Sequence, residues 1–311
     1  MRTGLPMAPE PIPEDLLIHA ARELPASLAV RMADPLAWRR TVAHMTRQSL
    51  ARIDHRGLQL HRLTQAILRD RLTPDQTAAT RSRVEAILAA SHPGDSTDPA
   101  TWARWARLMP HLLAAEPGSA DSPQIRALTG DACWYLLARG DARGSHDLAD
   151  RFYRQWRERL GADDPQTAMM ARTLGSALRR MGRFAAARRL DEDTMARDQR
   201  LRGDDHPDTL ASAHYLALDL RHLGEVETAR HLDRDTFTRR RRVLGQDHPR
   251  TLASASSLAI DLRELGNVQA ACDLDKDTLA RRRRVLGEDH PDTLDTANNL
   301  AIDLNKLSEK Y

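Results

Sequence analysis

Apolar residues recur every three or four positions through most of this 311-residue chain, and glycine and proline break the pattern at even intervals. The clearest run is Leu210, Ala213, Leu216, Ala217, Leu220 and Leu223, the inward stripe of an amphipathic helix. Gly224 ends it. A second helix is predicted from Glu225 to Leu244, with Ala229, Leu232, Phe237 and Val243 inward. Gly245 suits a left-handed C-cap, Asp205 or His206 suits the next N-cap, and Pro207 suits a first helical turn. The small residues Ala213, Ala217 and Ala229 let the two helices approach closely.

This punctuation returns at a step of 42 residues. Gly203-Asp-Asp-His-Pro207-Asp-Thr209 is followed by Gly245-Gln-Asp-His-Pro249-Arg-Thr251 and by Gly287-Glu-Asp-His-Pro291-Asp-Thr293. Gly161 to Thr167 is a looser copy, and Pro123 lies one step further back. Gly140, Gly182, Gly224 and Gly266 keep the same step. Two signals in one register predict stacked helical hairpins. Four full hairpins fall at 123–160, 165–202, 207–244 and 249–286. A fifth begins at Pro291 and reaches its mid-hairpin turn at Ser308 to Tyr311. Its single helix is expected either to be a cap or to mark a chain cut short.

The first third of the chain follows another rhythm. A proline-rich lead, Met1 to Pro13, precedes a short helix from Glu14 to Glu23. Asp34-Pro35 opens a second helix reaching about Leu50. Ala51 to Asp54 and Gly57 to Leu60 alternate in period two around a turn at His55-Arg56-Gly57, which predicts a β-hairpin. Helical period resumes from His61 to Leu72, and Thr73-Pro74 starts a helix to about Ala90. This order describes a small winged-helix-like module over 1–93. Residues 91–99 read as a linker. Thr101 to Ala115 is a helix out of phase with the repeat, an adaptor within 94–120. The repeat array then occupies 121–311. The predicted fold is mainly α, a right-handed α-solenoid of 42-residue hairpins preceded by that module.

Composition narrows the function. The chain is 29% charged, 41% hydrophobic and 4% aromatic, with net charge +3. No apolar run reaches the roughly 18 residues a membrane span needs, and the N-terminus is no signal peptide. Cys133 and Cys272 stand in different repeats, which excludes a disulfide framework and favours a cytoplasmic location. Residues 1–93 carry thirteen Arg against nine acids, whereas 203–244 carry seven Arg against eight. The array is thus balanced, and the positive surplus lies in the N-terminal module. Burying one Leu stabilises by about 1.5–3 kcal/mol, against about 0.3–0.5 kcal/mol for an exposed ion pair. The Ala/Leu pattern therefore sets the fold.

The repeat motifs resemble tetratricopeptide repeats of the long kinesin-light-chain type over roughly 120–311, most closely at Gly287 to Thr293 with Asn298-Asn299-Leu300-Ala301. Where that family usually carries an aromatic residue and then Ala on the second helix, this chain has Asp191, Asp233 and Asp275 with Thr194, Thr236 and Thr278. The family's Asn pair is His214-Tyr215 and Ser256-Ser257 in the two preceding repeats. The first 115 residues resemble the end of an actinobacterial NB-ARC (STAND-type) NTPase, where a winged helix meets a repeat array. Leu60-His61-Arg62-Leu63 is similar to its "MHD" motif, and Trp105 to Leu113 to its adaptor segment. The resemblance implies a nucleotide-sensing role for His61. No P-loop motif occurs and no Lys precedes Lys276, so His61 is expected to be vestigial.

Each remaining candidate has a competing structural reading. The runs Arg239 to Arg242 and Arg281 to Arg284 suit phosphate binding, but Asp235 and Asp277 stand four residues ahead of Arg239 and Arg281, which favours self-pairing. The histidines of the Asp-His-Pro loops are expected to cap helices rather than bind metal. No nucleophile elbow, HExxH or CxxC is present, so neither catalysis nor a cofactor is expected. By register with the resembled repeats, Arg172, His214, Ser256 and Asn298 form one row on the inner face of the first helices. Arg179, Arg221, Arg263 and Asn305 form another. Three arginines in one row suit an acidic peptide or a C-terminal carboxylate. The alternative is pairing with nearby acids. The expected function is non-catalytic binding of a protein or peptide on the concave face, as the sensor part of a STAND-type regulator. The alternatives are nucleic-acid binding through the basic module and a fragment of an NTPase whose P-loop lies upstream.

Overall fold

The computed structural model describes residues 10–55 and 57–309. The lead Met1 to Pro9, Arg56 in the predicted turn, and the last two residues of the predicted terminal turn lie outside them. Two compact units divide the chain after Gly161. No helix among the described residues is long and apolar enough to cross a membrane.

The first unit opens with α1 (Glu14–His19), a 3-10 turn, α2 (Ala26–Ala33) and α3 (Pro35–Arg47). Helix α2 departs from the sequence expectation. It starts after Pro25 with no capping side chain, so its entry carries no cap signal. Asp34 caps α3 as expected, accepting from the Leu36 amide at 2.9 Å. Strands β1 (Ala51–Asp54) and β2 (Gly57–Leu60) pair antiparallel, Ala51 opposite Leu60. Gly57 is required there: its φ is +137°, and a Cβ would meet the Ile12 carbonyl oxygen at 2.1 Å. Then come α4 (Arg62–Asp70), α5 (Pro74–Ala90), α6 (Trp102–Ala114), α7 (Pro123–Ala138) and α8 (Ala142–Leu160). Thr73 and Gln76 form a reciprocal capping box at the start of α5. One core joins Leu16, Leu88, Trp105, Leu112, Ile125 and Tyr135. Helix α7, the first of the first 42-residue hairpin, thus shares a core with helices that precede it in the chain.

The second unit contains α9 (Pro165–Arg180), α10 (Phe184–Arg202), α11 (Pro207–His222), α12 (Val226–Val243), α13 (Pro249–Glu264), α14 (Val268–Leu286) and α15 (Pro291–Ser308). Each helix packs on the next, and α9, α11, α13 and α15 also touch in succession. This is an α-solenoid. Asp164, His206, His248 and His290 are the N-caps of α9, α11, α13 and α15, each followed by Pro. The histidine caps accept through Nδ1 from the amides of Asp208, Arg250 and Asp292 at 3.1, 3.1 and 3.2 Å. The capping reading of the Asp-His-Pro loops holds. Both glycine series are left-handed, for example Gly224 at φ +84° and Gly245 at +90°. Only glycine adopts that conformation without steric cost.

Candidate functional site

The two rows of the A helices, α9, α11, α13 and α15, lie in different surroundings. The arginine row is largely buried, with side chains of Arg179, Arg221 and Arg263 each 9% exposed. Each reaches forward to an aspartate on the next A helix: Arg179 to Asp219 at 3.1 Å, Arg221 to Asp261 at 2.9 Å and Arg263 to Asp303 at 3.0 Å. Each also faces an aspartate on its own hairpin's second helix. Arg179 pairs with Asp191, Arg221 lies 3.8 Å from Asp233, and Arg263 lies 4.0 Å from Asp275. All six aspartates are fully buried. Arg221 and Arg263 additionally donate to the Ser257 and Asn299 carbonyls, each at 3.2 Å. The result is a ladder of one arginine and two aspartates per rung, repeated at three successive junctions. Asn305 follows in register and is exposed.

In the sequence, Asp191, Asp233 and Asp275 stand out only as departures from a family pattern. Asp219, Asp261 and Asp303 do not stand out there at all. The signal was present: an Asp stands twelve and forty residues after each of the three arginines.

Burial dominates the chemistry of these carboxyls. It pushes Asp191, Asp233, Asp261 and Asp275 up to about 7. The arginines act in the opposite sense and recover only part of the shift. Asp219 is raised for the same reason. His214, on α11, points toward the second rung, its Nδ1 3.8 Å from Asp233. Burial and the nearby Arg240, Arg221 and Arg179 depress it to about 3. It is therefore a neutral imidazole at pH 7, and its contact with Asp233 is not an ion pair.

The other row is uneven. Arg172 is mostly buried and binds Asp198 at 3.1 Å and Asp208 at 3.5 Å. His214 and Ser256 are partly exposed, and Asn298 is exposed. Beside them, the Arg179 guanidinium lies over the Tyr215 ring, 4.8 Å from its centroid. The second helices of the hairpins, α10, α12 and α14, contribute a second buried series at one register position. Asp198 accepts from Ser212 at 2.8 Å, Arg240 donates to Ser254 at 2.7 Å, and Arg282 donates to Thr296 at 2.5 Å. The charge at that position reverses, yet its hydroxyl partner persists.

Arg240 and Arg282 of the arginine runs are thus buried, and the outward arginines of each run pair with acids of the array. Arg239 binds Asp235 at 2.7 Å and Asp205 at 3.1 Å, and Arg242 also binds Asp205. Arg281 and Arg284 repeat the arrangement around Asp247. Hydrogen bonds from Arg239 and Arg281 hold the Asp205 and Asp247 carboxyls below their usual range. His61 is exposed just beyond β2, and its backbone amide donates to the Leu50 carbonyl at 3.0 Å. Among the described residues no group of three or more His, Cys, Asp or Glu is placed to hold a metal.

Comparison with known proteins supports the repeat reading. Tetratricopeptide repeat models match residues 251–292 and, in two overlapping stretches, 166–232 and 209–271. No curated protein sequence matches this chain. Among solved structures, the nearly identical TPR-like repeats of kinesin-light-chain type from Podosopora anserina superpose with TM-score 0.52 at 23% identity. That match covers 62% of this chain and 89% of the other. BtubC (BKLC) from P. vanneervenii superposes with TM-score 0.52 at 17% identity, over 73% of this chain and 84% of the other. A Rap protein complexed with competence and sporulation factor gives TM-score 0.51 at 10% identity, over 95% and 87%. At these identities the likeness is one of fold. Periodicity, capping geometry and the family models agree on tetratricopeptide repeats over residues 166–292, and the kinesin-light-chain-type structure shares their fold.

Proposed function

We propose that this chain is a non-catalytic interaction module whose repeat array receives a peptide or protein on the inner face of its A helices. Tetratricopeptide repeats are protein-interaction modules, and the Rap protein of similar fold was solved with a bound factor. The observation that carries the reading is a stretch of the A-helix face that stays accessible among buried neighbours: Asn298 is exposed, and Tyr215, His214 and Ser256 are partly so. These are neutral hydrogen-bonding and aromatic groups. Arg172, Arg179, Arg221 and Arg263 are held by internal aspartates, so an acidic ligand would meet them only by displacing a buried carboxylate. Neutral recognition of an extended segment suits the row better.

The wider setting of this module is the sensor part of a STAND-type regulator in the cytoplasm. The order of α3, the β1–β2 hairpin and α4, with Leu60-His61-Arg62-Leu63 after the second strand, supports it.

Site-specific photo-crosslinking tests the binding face. A crosslinker at Ser256 or Asn298 is expected to capture one partner that a crosslinker at the exposed Arg234 of α12 does not. The captured protein, once purified, should bind the wild-type chain in calorimetry and bind less tightly to an Asn298→Ala, Ser256→Ala variant. Equal capture from both faces, or unchanged affinity, defeats the reading.

A further inference from the structure

Each rung of the ladder has unequal charge. One guanidinium supplies a single positive charge, and two aspartates supply two negative ones, all inside the protein. A single proton on the aspartate pair brings the rung to zero. Several carboxyl oxygens also have no donor within hydrogen-bond range: both of Asp233, both of Asp275, and one each of Asp191, Asp261 and Asp303. Where two such carboxyls meet, a shared proton is the group that joins them. Asp233 and Asp261 converge on one Arg221 nitrogen on the second rung, at 3.8 and 2.9 Å, and Asp191 and Asp219 converge on one Arg179 nitrogen on the first.

Burial favours this proton, and the neighbouring arginines oppose it only in part. The second rung lies between α11, α12 and α13. From α11, Arg221 and the neutral His214 face it, and from α12, Arg240 acts on Asp233. Asp261 on α13 completes it. On the first rung, Arg179 from α9 meets Asp191 on α10 and Asp219 on α11, with Glu192 adding negative charge on Asp219. On the third, Arg263 from α13 meets Asp275 on α14 and Asp303 on α15, and Arg282 adds positive charge on Asp275. Arg240 and Arg282 are themselves engaged by hydroxyl and carbonyl oxygens.

We propose that the rungs are proton-controlled clamps between neighbouring repeats: one proton on each aspartate pair closes the junction, and its release leaves a buried surplus anion that loosens it. The array is then tight at mildly acidic pH and looser above neutrality. The sign follows from linkage. An unfolded aspartate releases its proton near 3.8, whereas burial raises both Asp233 and Asp261 to about 7, so the pair in the fold keeps its one shared proton well above that value. Between those values the folded chain binds more protons than the unfolded one. The stabilisation is complete below about pH 4 and is lost as pH rises through about 7. Each proton retained in that window changes the unfolding constant by about tenfold per pH unit.

The test is equilibrium unfolding of the full chain in urea between pH 5 and pH 8.5. The midpoint is expected to fall as pH rises and then level off. In Asp233→Asn, a carboxamide replaces the carboxyl with no proton to lose, so the slope should shrink and the pH 8.5 midpoint should rise toward the pH 5 value. A wild-type midpoint that stays flat or climbs with pH overturns the proposal, as does an Asp233→Asn variant with an unchanged slope. Should that variant not fold, infrared spectroscopy of the wild type decides. A protonated-carboxyl band present at pH 6 and gone at pH 8.5 supports the clamp, and its absence at pH 6 overturns it.

Discussion

A buried arginine facing two aspartates is a poor bargain by Coulomb energy alone, because three charged groups lose their water. Its value lies in selectivity, since a slipped helix leaves charges without partners. Removing one member should therefore be severe. Arg221→Ala strands Asp261 and Asp233 and is expected to cost about 3–5 kcal/mol in denaturant unfolding at pH 7. Replacing the whole rung, Arg221→Met with Asp233→Leu and Asp261→Leu, should restore most of that loss or exceed wild type, since apolar packing needs no desolvation. Gly175 shows how closely the first rung is fitted. A Cβ there would lie 2.8 Å from an Asp191 oxygen, whereas alanine occupies the same register position at Ala217 and Ala259. Residue identities made these arginines visible in the sequence. Their partners were harder to see, because a contact forty residues away appears only when the repeat is laid on itself.

At the scale of elements, the hairpins were legible because capping, turn and packing signals coincide at one period. The N-caps and the left-handed glycines fell where the spacing put them. Gly224→Ala tests one such turn in isolation. A Cβ at Gly224 meets nothing within 4 Å, so the penalty comes from the backbone at φ +84° alone. It is expected to be about 1–2 kcal/mol in thermal or denaturant unfolding. Helix α2 was not legible, for the opposite reason: it starts after Pro25 without a capping side chain. The inner-face rows were legible as rows. Which of them stays open was not, because burial depends on neighbours that period and register do not specify.

In the molecule as a whole, the second unit is stabilised by nearest-neighbour junctions in the manner of repeat proteins. Damage should then spread a short way along it and fade. In hydrogen exchange, Arg221→Ala is expected to lower protection most in α11, α12 and α13, and less in α9 and α10. Uniform loss across α9–α15 would instead mean that the array melts as one block. The first unit has a different kind of core, rich in large apolar side chains such as Trp105, Leu112 and Tyr135, with Trp156 also fully buried.

The ladder also reads in one direction. Every arginine reaches forward to the next A helix and none backward, so a repeat is defined by what it sends and what it receives. It sends from Arg179, Arg221 or Arg263 and receives at Asp219, Asp261 or Asp303. This amounts to a grammar for recombination. A block of one full 42-residue period can be excised, duplicated or exchanged within α9–α15 and leave every sender facing a receiver. A crossover that joins two hairpins out of phase, or a borrowed repeat lacking either residue, leaves an unanswered charge inside the protein. Gene duplication could lengthen or shorten this array only in whole steps, and an engineer grafting a new binding face onto it is bound by the same rule.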